Sequence, residues 1–382
     1  MSQTASGTAT PAGTRPVLVY DGDIGDLFGV FLMNLILTIV TLGIFRFWAI
    51  TRIRRYLWSH MRFEGMRFTY TGKGGELFLG FLFAMLILIA LAIGLGLAAV
   101  ALAAVHPVLA AIPVAAGYIG LFVLFGAAHF SAQRYRLSRT EWRGIRGGMQ
   151  GWALRYGLSW FLYLILVAIT LYQAVPWMQV GLARRRINAS RFGSAVFRCD
   201  GRGRRLWPIW FATLIGYVLL FAVIAAAIVV VHWSSLGQVF MGMIKGPAVE
   251  LAFQHAIPAI LVGIVVFIIG SGLLAAWYYT RMLRLILDTT TAIVPNPQGH
   301  DMLRFSTTVT AGGLLWLLVS NFLITIVTFG FGLPIVLHRY ARYIARTMLV
   351  TGTFDAGHLV QSTLARPSVG EGFLQALDPG IV

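Results

Sequence analysis

The chain has 382 residues, of which 58% are hydrophobic and only 11% are charged, and its mean hydropathy is +0.80. A soluble domain carries about 25% charged residues, so this composition excludes an ordinary soluble protein and indicates a membrane protein. The net charge of +17 comes from arginine, since Lys73 and Lys245 are the two lysines. The single cysteine, Cys199, excludes an internal disulfide and a cysteine-based metal cluster.

Long uncharged stretches account for this composition. A helix needs about 20 apolar residues to cross a bilayer. Seven stretches meet or approach that length, and none has an acidic or basic residue near its centre. They are residues 26–45, 77–105, 107–130, 157–180, 206–232, 256–280 and 312–337. The sequence therefore predicts an all-α polytopic membrane protein with about seven hydrophobic segments.

One motif recurs three times, and we call it the cassette. Copy one begins at Asn34 and copy three at Asn321, and a shift of 287 residues aligns them without a gap. A shift of 129 residues finds a middle copy, in which Thr170 stands at the position of Thr41. Each copy reads as an apolar helix that breaks and continues as a basic helix. Internal symmetry of this kind predicts an architecture built from repeated units.

The repeat divides the chain into segments. Each full unit has a cassette, a short loop whose alternation predicts a small β-hairpin, and a pair of spanning helices. The first 20 residues are polar and small and lack the apolar core of a signal peptide. The predicted segments are a disordered leader at 1–20, repeat unit one at 21–148, repeat unit two at 149–310, a truncated repeat unit three at 311–355 and a polar tail at 356–382.

Polar side chains lie on one face of the first cassette helix. Copies one and three have an Asn followed by two Thr at helical spacing, and the middle copy keeps one Thr. In one interpretation the hydroxyls bond to their own helix or hold helices together. In the other they line a polar path, because broken helices often mark transport sites. The candidate path residues are Asn34, Thr38, Thr41, Thr170, Asn321, Thr325 and Thr328.

Arginines cluster just beyond each helix break. In one interpretation they are membrane anchors, since arginine beyond an interfacial tryptophan is a common anchor. In the other they bind anionic lipid headgroups, because guanidinium groups bind phosphate with two hydrogen bonds. The candidate headgroup contacts are Arg52, Arg54, Arg55, Arg184, Arg185, Arg186, Arg339 and Arg342. The expected partner is the lipid bilayer, and nucleic acid is not expected because the charge is divided among loops of a membrane protein.

Two arrangements of the cassettes fit the sequence. If all seven segments cross with the N-terminus outside, 18 Lys and Arg residues are cytoplasmic and 12 are external. If the cassettes dip in and return, four segments cross and the tally becomes 29 against 1, which the positive-inside rule favours. The length of 312–337 favours a crossing. Seven crossings are the expectation adopted here.

The first cassette and the loop after it resemble the YjgN-like family of bacterial inner-membrane proteins. The matching residues are Asn34, Thr38, Thr41, Gly43, Phe47, Trp48, Arg52, Arg54, Arg55, Tyr56, Gly65, Phe68, Tyr70 and Gly72. The resemblance extends over residues 17–355 and implies a multipass protein of the bacterial inner membrane with an uncharacterised function. The middle cassette departs from the pattern, with Tyr172 in place of Gly and Pro176 in place of Phe.

The sequence leads to two functional hypotheses. The first is a transporter or channel-like protein that uses the broken cassette helices as its polar core. The second is a non-transporting membrane scaffold or a protein that binds anionic lipid through its arginine clusters. No acidic residue lies in the middle of a hydrophobic segment, and no histidine pair has metal-ligand spacing. We therefore expect no enzyme activity, no cofactor and no metal.

Overall fold

The computed structural model describes residues 13–231, 247–352 and 355–364. The chain divides into two compact units. The first contains residues up to 203, residues 284–308 and residues from 321 onwards, and the second contains 204–283 and 309–320. Of the predicted leader and tail, residues 1–12 and 365–382 lie outside the described residues. Two short strands fall within the predicted leader, at 15–16 and 19–20.

Helices account for most of the described chain. In chain order they are α1 (Ile24–Val40), α2 (Arg46–Ser59), α3 (Gly74–Val105), α4 (Ala111–Ser138), α5 (Ala153–Ile169), α6 (Val175–Ala189), α7 (Trp207–Val231), α8 (Pro247–Asp288), α9 (Ala311–Val327) and α10 (Leu333–Thr347). A short 3₁₀ turn at Pro107–Ala110 joins α3 to α4.

Short strands stand between the helices. They are β1 (Arg15–Pro16), β2 (Val19–Tyr20), β3 (Met61–Phe63), β4 (Met66–Tyr70), β5 (Thr140–Trp142), β6 (Ile145–Met149), β7 (Ser190–Phe192), β8 (Ala195–Cys199), β9 (Thr290–Asn296), β10 (Gly299–Thr307) and β11 (Met348–Thr351). Two hairpins have tight turns in which Glu64-Gly65 and Arg143-Gly144 take positive φ. Positive φ at both central residues matches the twist of the flanking strands.

All of these strands form one antiparallel sheet within the first unit. Its order is β1-β11-β10-β9-β8-β7-β6-β5-β4-β3-β2. Strands β1 and β2 belong to the same segment, residues 15–20, and pair with β11 and β3 respectively. The two ends of the sheet therefore meet at this segment, and the sheet nearly closes into a barrel, which we call the ring. Closure leaves few unpaired edge groups.

The prediction of an all-α protein with seven spans is wrong. Besides the sheet, the described residues contain four helices long and apolar enough to cross a membrane: Gly74–Val105, Pro107–Ser138, Trp207–Val230 and Ile257–Asp288. The first cassette helices, α1, α5 and α9, have 17 residues each, about 26 Å. Each is followed by a second helix that leads into a strand. The strands before and after each cassette pair in one sheet, so both ends of each cassette lie at the ring.

The cassette helices are separated by a defined turn. In copy one, Leu42 and Gly43 have φ of +51° and +91°, and the Gly43 amide bonds the Thr38 carbonyl at 2.7 Å. This geometry ends a helix. The Thr41 hydroxyl then accepts from the Phe45 amide at 2.9 Å and so satisfies a free donor at the start of α2. The other copies make the matching bond. The Ala174 amide donates to the Thr170 hydroxyl at 3.1 Å, and the Gly332 amide donates to the Thr328 hydroxyl at 2.7 Å.

Hydrogen bonds and an ion pair hold the start and the end of two helix pairs of the first unit together. The Tyr56 hydroxyl of α2 donates to the Asp23 carbonyl at 2.6 Å and accepts from the Asp23 amide at 2.9 Å, just before α1. Glu76 at the start of α3 accepts from Tyr135 of α4 at 2.7 Å and pairs with Arg139 at 2.9 Å. The helix pairs therefore leave the ring and return to it at neighbouring points.

The second unit is a helix pair with the first part of α9. The rings of Trp210 in α7 and Tyr278 in α8 lie 4.8 Å apart. Further along, a Cβ at Gly216 would contact the Leu274 side chain, and one at Gly270 would contact Leu220. Small residues at these points let the two helices approach closely.

The core of the first unit consists of several buried apolar clusters, of which two involve the ring and the cassette helices. One lies inside the ring, where Ala292, Leu303 and Val350 are buried. The other joins α1, α2 and α10 through buried Leu27, Ile53, Leu57, Leu337 and Ala341. The short helix pairs are thus attached to the ring by apolar contacts as well as by the chain.

Candidate functional site

Helix α2 presents its arginines in a fixed pattern. Arg52 and Arg55 are exposed and lie on one face of the helix, three residues apart. Arg54 points the other way, is 1% exposed, and donates from Nη1 to the Tyr70 hydroxyl at 3.5 Å. The structure therefore places Arg54 in the protein interior, although the sequence grouped it with the exposed arginines.

The two exposed arginines border a groove between α1 and α2. Its volume is about 530 Å³, and we call it the α1–α2 groove. Gly29, Val30 and Met33 of α1 form its apolar wall, and α2 contributes the polar wall. The polar wall consists of Arg52, Arg55, Tyr56 and Ser59. Gly29 widens the groove because it has no side chain.

The polar wall of the groove is positively charged. The Arg52 guanidinium lies 5.0 Å from the centre of the Phe45 ring, a cation–π contact that orients it. Arg55 makes one long hydrogen bond from Nη2 to the Gly72 carbonyl at 3.4 Å. Among the described residues, neither guanidinium forms an ion pair with a carboxylate. Both are therefore available to an anion.

The Tyr56 hydroxyl stays neutral at the edge of the groove. Burial raises the pKa of Tyr56, and nearby carboxylates, including Asp26, raise it further, although the backbone hydrogen bond to Asp23 opposes this. The same hydroxyl bonds both backbone groups of Asp23. It therefore holds α2 against the start of α1 and fixes one end of the groove.

The remaining arginine candidates differ in their surroundings. Arg184 and Arg342, which align with Arg55 in the repeat, are also exposed. Arg185 donates to the Ser159 hydroxyl, and Arg186 bonds the His129 ring. Arg339 is partly buried. One arginine is thus exposed at the same place in each cassette, while several of the others are held by protein groups.

The predicted polar path residues lie within their own helix pairs. Asn34 is 3% exposed, and its Nδ2 donates to the Ala49 carbonyl of α2 at 3.4 Å. Asn321 is also 3% exposed. Each threonine hydroxyl donates to the backbone carbonyl four residues earlier. The Thr38 hydroxyl, for example, donates to the Asn34 carbonyl oxygen at 2.6 Å. The same bond is made by Thr41, Thr170, Thr325 and Thr328. These contacts match the interpretation in which the hydroxyls bond to their own helix.

A comparison with known families covers nearly all of the chain. The family of bacterial proteins of unknown function designated DUF898 matches residues 15–376. The chain belongs to this family. The match begins at β1, so the family includes the segment that closes the ring as well as the three cassettes.

The chain is also similar to named proteins of the bacterial inner membrane. The inner membrane protein YjgN of Salmonella typhimurium strain LT2 is 25% identical to this chain over 388 residues, or 89% of each protein. Its namesake in Escherichia coli K12 is 40% identical over 65 residues, 17% of this chain and 16% of that protein. The inner membrane protein YjgN of Escherichia coli O157:H7 is 37% identical over 75 residues, which are 18% of this chain and 19% of that protein. The resemblance predicted from the first cassette is confirmed.

No solved structure matches the chain. The function of the α1–α2 groove in this DUF898 protein is therefore inferred from the chemistry of the residues that line it. The four long apolar helices and the names of the relatives agree on a membrane protein.

Sequence reasoning missed half of the α1–α2 groove. It named Arg52 and Arg55 but not the apolar wall of Gly29, Val30 and Met33. A signal was present, since Gly29 and Met33 are four residues apart on one helix face. The sequence did not show that α2 packs back along α1. This packing brings the apolar wall and the polar wall of the groove together.

Proposed function

We propose that this protein is a multipass inner-membrane protein that binds anionic phospholipid headgroups at its cytoplasmic face. The single observation that carries the proposal is the α1–α2 groove, in which two exposed guanidinium groups face an apolar helix wall. A phospholipid has the same division, with a phosphate next to hydrocarbon. Arginine suits the phosphate because its planar fork can donate two hydrogen bonds.

Chain topology supports the placement of the ring on one side of the membrane. The chain leaves the ring after β4 and returns at β5, with α3 and α4 between them. It leaves again after β8 and returns at β9, with α7 and α8 between them. Each excursion contains two candidate spans, so the chain comes back to the side it left. The cassettes then enter only from that side.

The distribution of charge supports a cytoplasmic ring. With this topology, Lys245 alone of the 30 lysines and arginines falls in the loop on the far side. Cytoplasmic loops of membrane proteins carry the excess of Lys and Arg. Anionic lipids of the same leaflet attract basic segments at about 1 kcal/mol per residue near the surface. The cassette arginines would then lie at the level of the lipid phosphates.

The hypothesis of a transporter has less support. Its candidate residues, such as Thr41 and Thr328, use their hydroxyls within the turn of the cassette. The inside of the ring is lined by apolar side chains, including Phe68, Phe197 and Phe305, and offers no polar route for an ion. Lipid binding uses the groups that remain exposed.

A lipid titration tests the proposal. The full chain is purified in a neutral detergent, and phosphatidylglycerol and phosphatidylcholine with the same acyl chains are added separately in native mass spectrometry. We expect preferential binding of phosphatidylglycerol. Replacing Arg52 and Arg55 by Gln should weaken that binding by about ten-fold or more, since hydrogen bonds to charged groups contribute about 1.5–3 kcal/mol each.

The matched control is the double change Arg198→Gln and Arg304→Gln. Both residues are exposed on strands of the ring, and their loss changes the net charge by the same amount. The control should bind phosphatidylglycerol as the unchanged protein does. Equal weakening in the two double variants would mean that net charge alone attracts the lipid and would contradict a headgroup site in the groove.

A further inference from the structure

The inner face of the ring is apolar and lines a cavity. Successive strand residues point to opposite faces, so Ala195 and Phe197 of β8 point inward and Val196 points outward. The volume of this cavity is about 180 Å³, and we call it the ring cavity. Trp142 also faces it, and the Trp142 Nε1 already donates to the Phe63 carbonyl at 3.0 Å. Water would find few partners in this cavity.

A second cavity continues from the ring cavity toward the helices. Its volume is about 300 Å³, and we call it the helix-side cavity. Leu18 and Phe68 line both cavities, so the two adjoin. The wall of the second includes Leu57 of α2, Leu137 of α4 and Ile344 of α10. It lies where helices leave the ring, and therefore on the side of the ring that faces the proposed membrane.

The opposite end of the ring is covered by the chain itself. The hairpin turns lie at that end, because each hairpin is joined to helices at its other end. The segment 359–364 crosses these turns, with the Val360 amide donating to the Ser194 hydroxyl at 3.2 Å and Gln361 donating to the Gly144 carbonyl at 2.9 Å. Leu359 forms part of the cavity wall. The two cavities thus form a blind apolar pocket with its approach from the helices.

We propose that this pocket holds the hydrocarbon chain of a membrane amphiphile, which enters tail first through the helix-side cavity. An empty cavity of about 150 Å³ lined by Leu, Ile and Phe stays dry and binds benzene, so the ring cavity is large enough for several methylene groups. Ligand sites for polar molecules contain a few convergent polar groups, and the walls of the ring cavity supply none. The inference rests on the proposed side of the ring that faces the membrane, but it goes beyond headgroup binding at the α1–α2 groove and does not depend on that groove.

Photo-crosslinking shows directly where the hydrocarbon chain of the bound amphiphile lies. The full protein is placed in lipid nanodiscs with palmitic acid that carries a diazirine near its methyl end, and after irradiation the labelled peptides are identified by mass spectrometry. We expect labels on Phe68, Phe197 and Phe305 in addition to the outer faces of α3 and α7. A parallel arm uses phosphatidylglycerol with the same diazirine chain and distinguishes a free fatty acid from a phospholipid tail. Labels confined to the long helices in both arms would overturn the proposal.

Two filling variants test whether the label depends on the cavity. Ala195→Leu and Ala292→Leu place a larger side chain inside the ring from two different strands. Either should reduce labelling of the ring at least five-fold and leave labelling of α3 unchanged. Val196→Leu, the outward neighbour on β8, is the matched control and should label normally. Undiminished ring labelling in the filled variants would also overturn the proposal, and if neither variant folds, the label positions in the unchanged protein decide it.

Discussion

At the scale of the residue, local environment separates side chains that the sequence treats as equivalent. Arg54 and Arg55 are neighbours in one basic run, yet Arg54 is 1% exposed and Arg55 is exposed. A buried guanidinium needs protein partners, which Tyr70 helps to provide. An exposed guanidinium can bind a ligand. The arginine cluster is therefore partly structural and partly available for binding.

His338 is a second residue whose surroundings decide its chemistry. It is 2% exposed, neither ring nitrogen has a hydrogen-bond partner, and its ring lies 5.3 Å from that of Tyr20. Burial lowers the pKa of His338 below its usual 6.5, and Arg342 lowers it further, while Asp23 opposes the shift. The folded protein therefore disfavours protonation of His338.

Acidification should consequently destabilise the protein. The unfolded chain takes up a proton at His338 below about pH 6.5, whereas the folded chain does so only at lower pH. The contribution of the neutral His338 to the free energy of unfolding is therefore complete above pH 6.5 and is lost as the pH falls toward the folded pKa. Thermal unfolding in detergent between pH 7.5 and 5 measures it. His338→Phe should flatten the pH dependence, and the exposed His300→Phe should not; identical slopes in all three proteins would contradict the assignment.

At the scale of the element, glycine sets the distance between helices α4 and α5. A Cβ at Gly157 would lie 2.1 Å from the Val123 carbonyl oxygen and 2.9 Å from the Ala127 amide. Gly126 on the facing helix is equally restricted, since its Cβ would lie 2.7 Å from Trp160 Cβ. Close packing of this kind is typical of helices in membranes, where small residues let backbones approach.

Gly157→Ala should therefore destabilise the protein. The methyl group cannot be accommodated without moving a backbone, and overpacking costs about 1–3 kcal/mol. Gly120→Ala on α4 is the matched control, because no atom lies within 4 Å of its added Cβ. The control should be neutral or stabilising by up to about 1 kcal/mol. Unfolding midpoints in detergent compare the two, and equal midpoints would refute the close approach of α4 and α5.

At the scale of the whole molecule, the ring holds the hairpins together. Hairpins at 61–70, 140–149, 190–199 and 290–307 pair in one sheet, so we expect all of them to lie on the same side of the membrane. The native thiol cannot report on this, since Cys199 is 0% exposed. Cysteines introduced at exposed positions into a Cys199→Ala protein can.

A membrane-impermeant maleimide tests this topology. Cysteines at Arg143 and Gln298, in two hairpin turns, should label only after the inner membrane is permeabilised. A cysteine at Val108, which is 69% exposed between α3 and α4, should label in intact cells. Labelling of one hairpin turn in intact cells and of the other only after permeabilisation would contradict a single-sided ring.

The sequence by itself indicated the membrane character, the family, the positions of the four long apolar helices and the presence of basic residues near each helix break. These are local properties, because the length of an apolar run and the number of arginines can be read in one window. It also predicted a small β-hairpin in the loop after a cassette, from the alternation of its residues.

Only the tertiary structure decided how these parts are arranged. The strands are three to nine residues long where they form hairpins, and their pairing joins segments far apart in the chain, such as β1 with β11. Such pairing is stabilised by contacts across the sheet and not by any one strand, so no window of sequence reveals it. The same pairing returns each cassette to the ring and brings together the walls of the α1–α2 groove and of the apolar pocket.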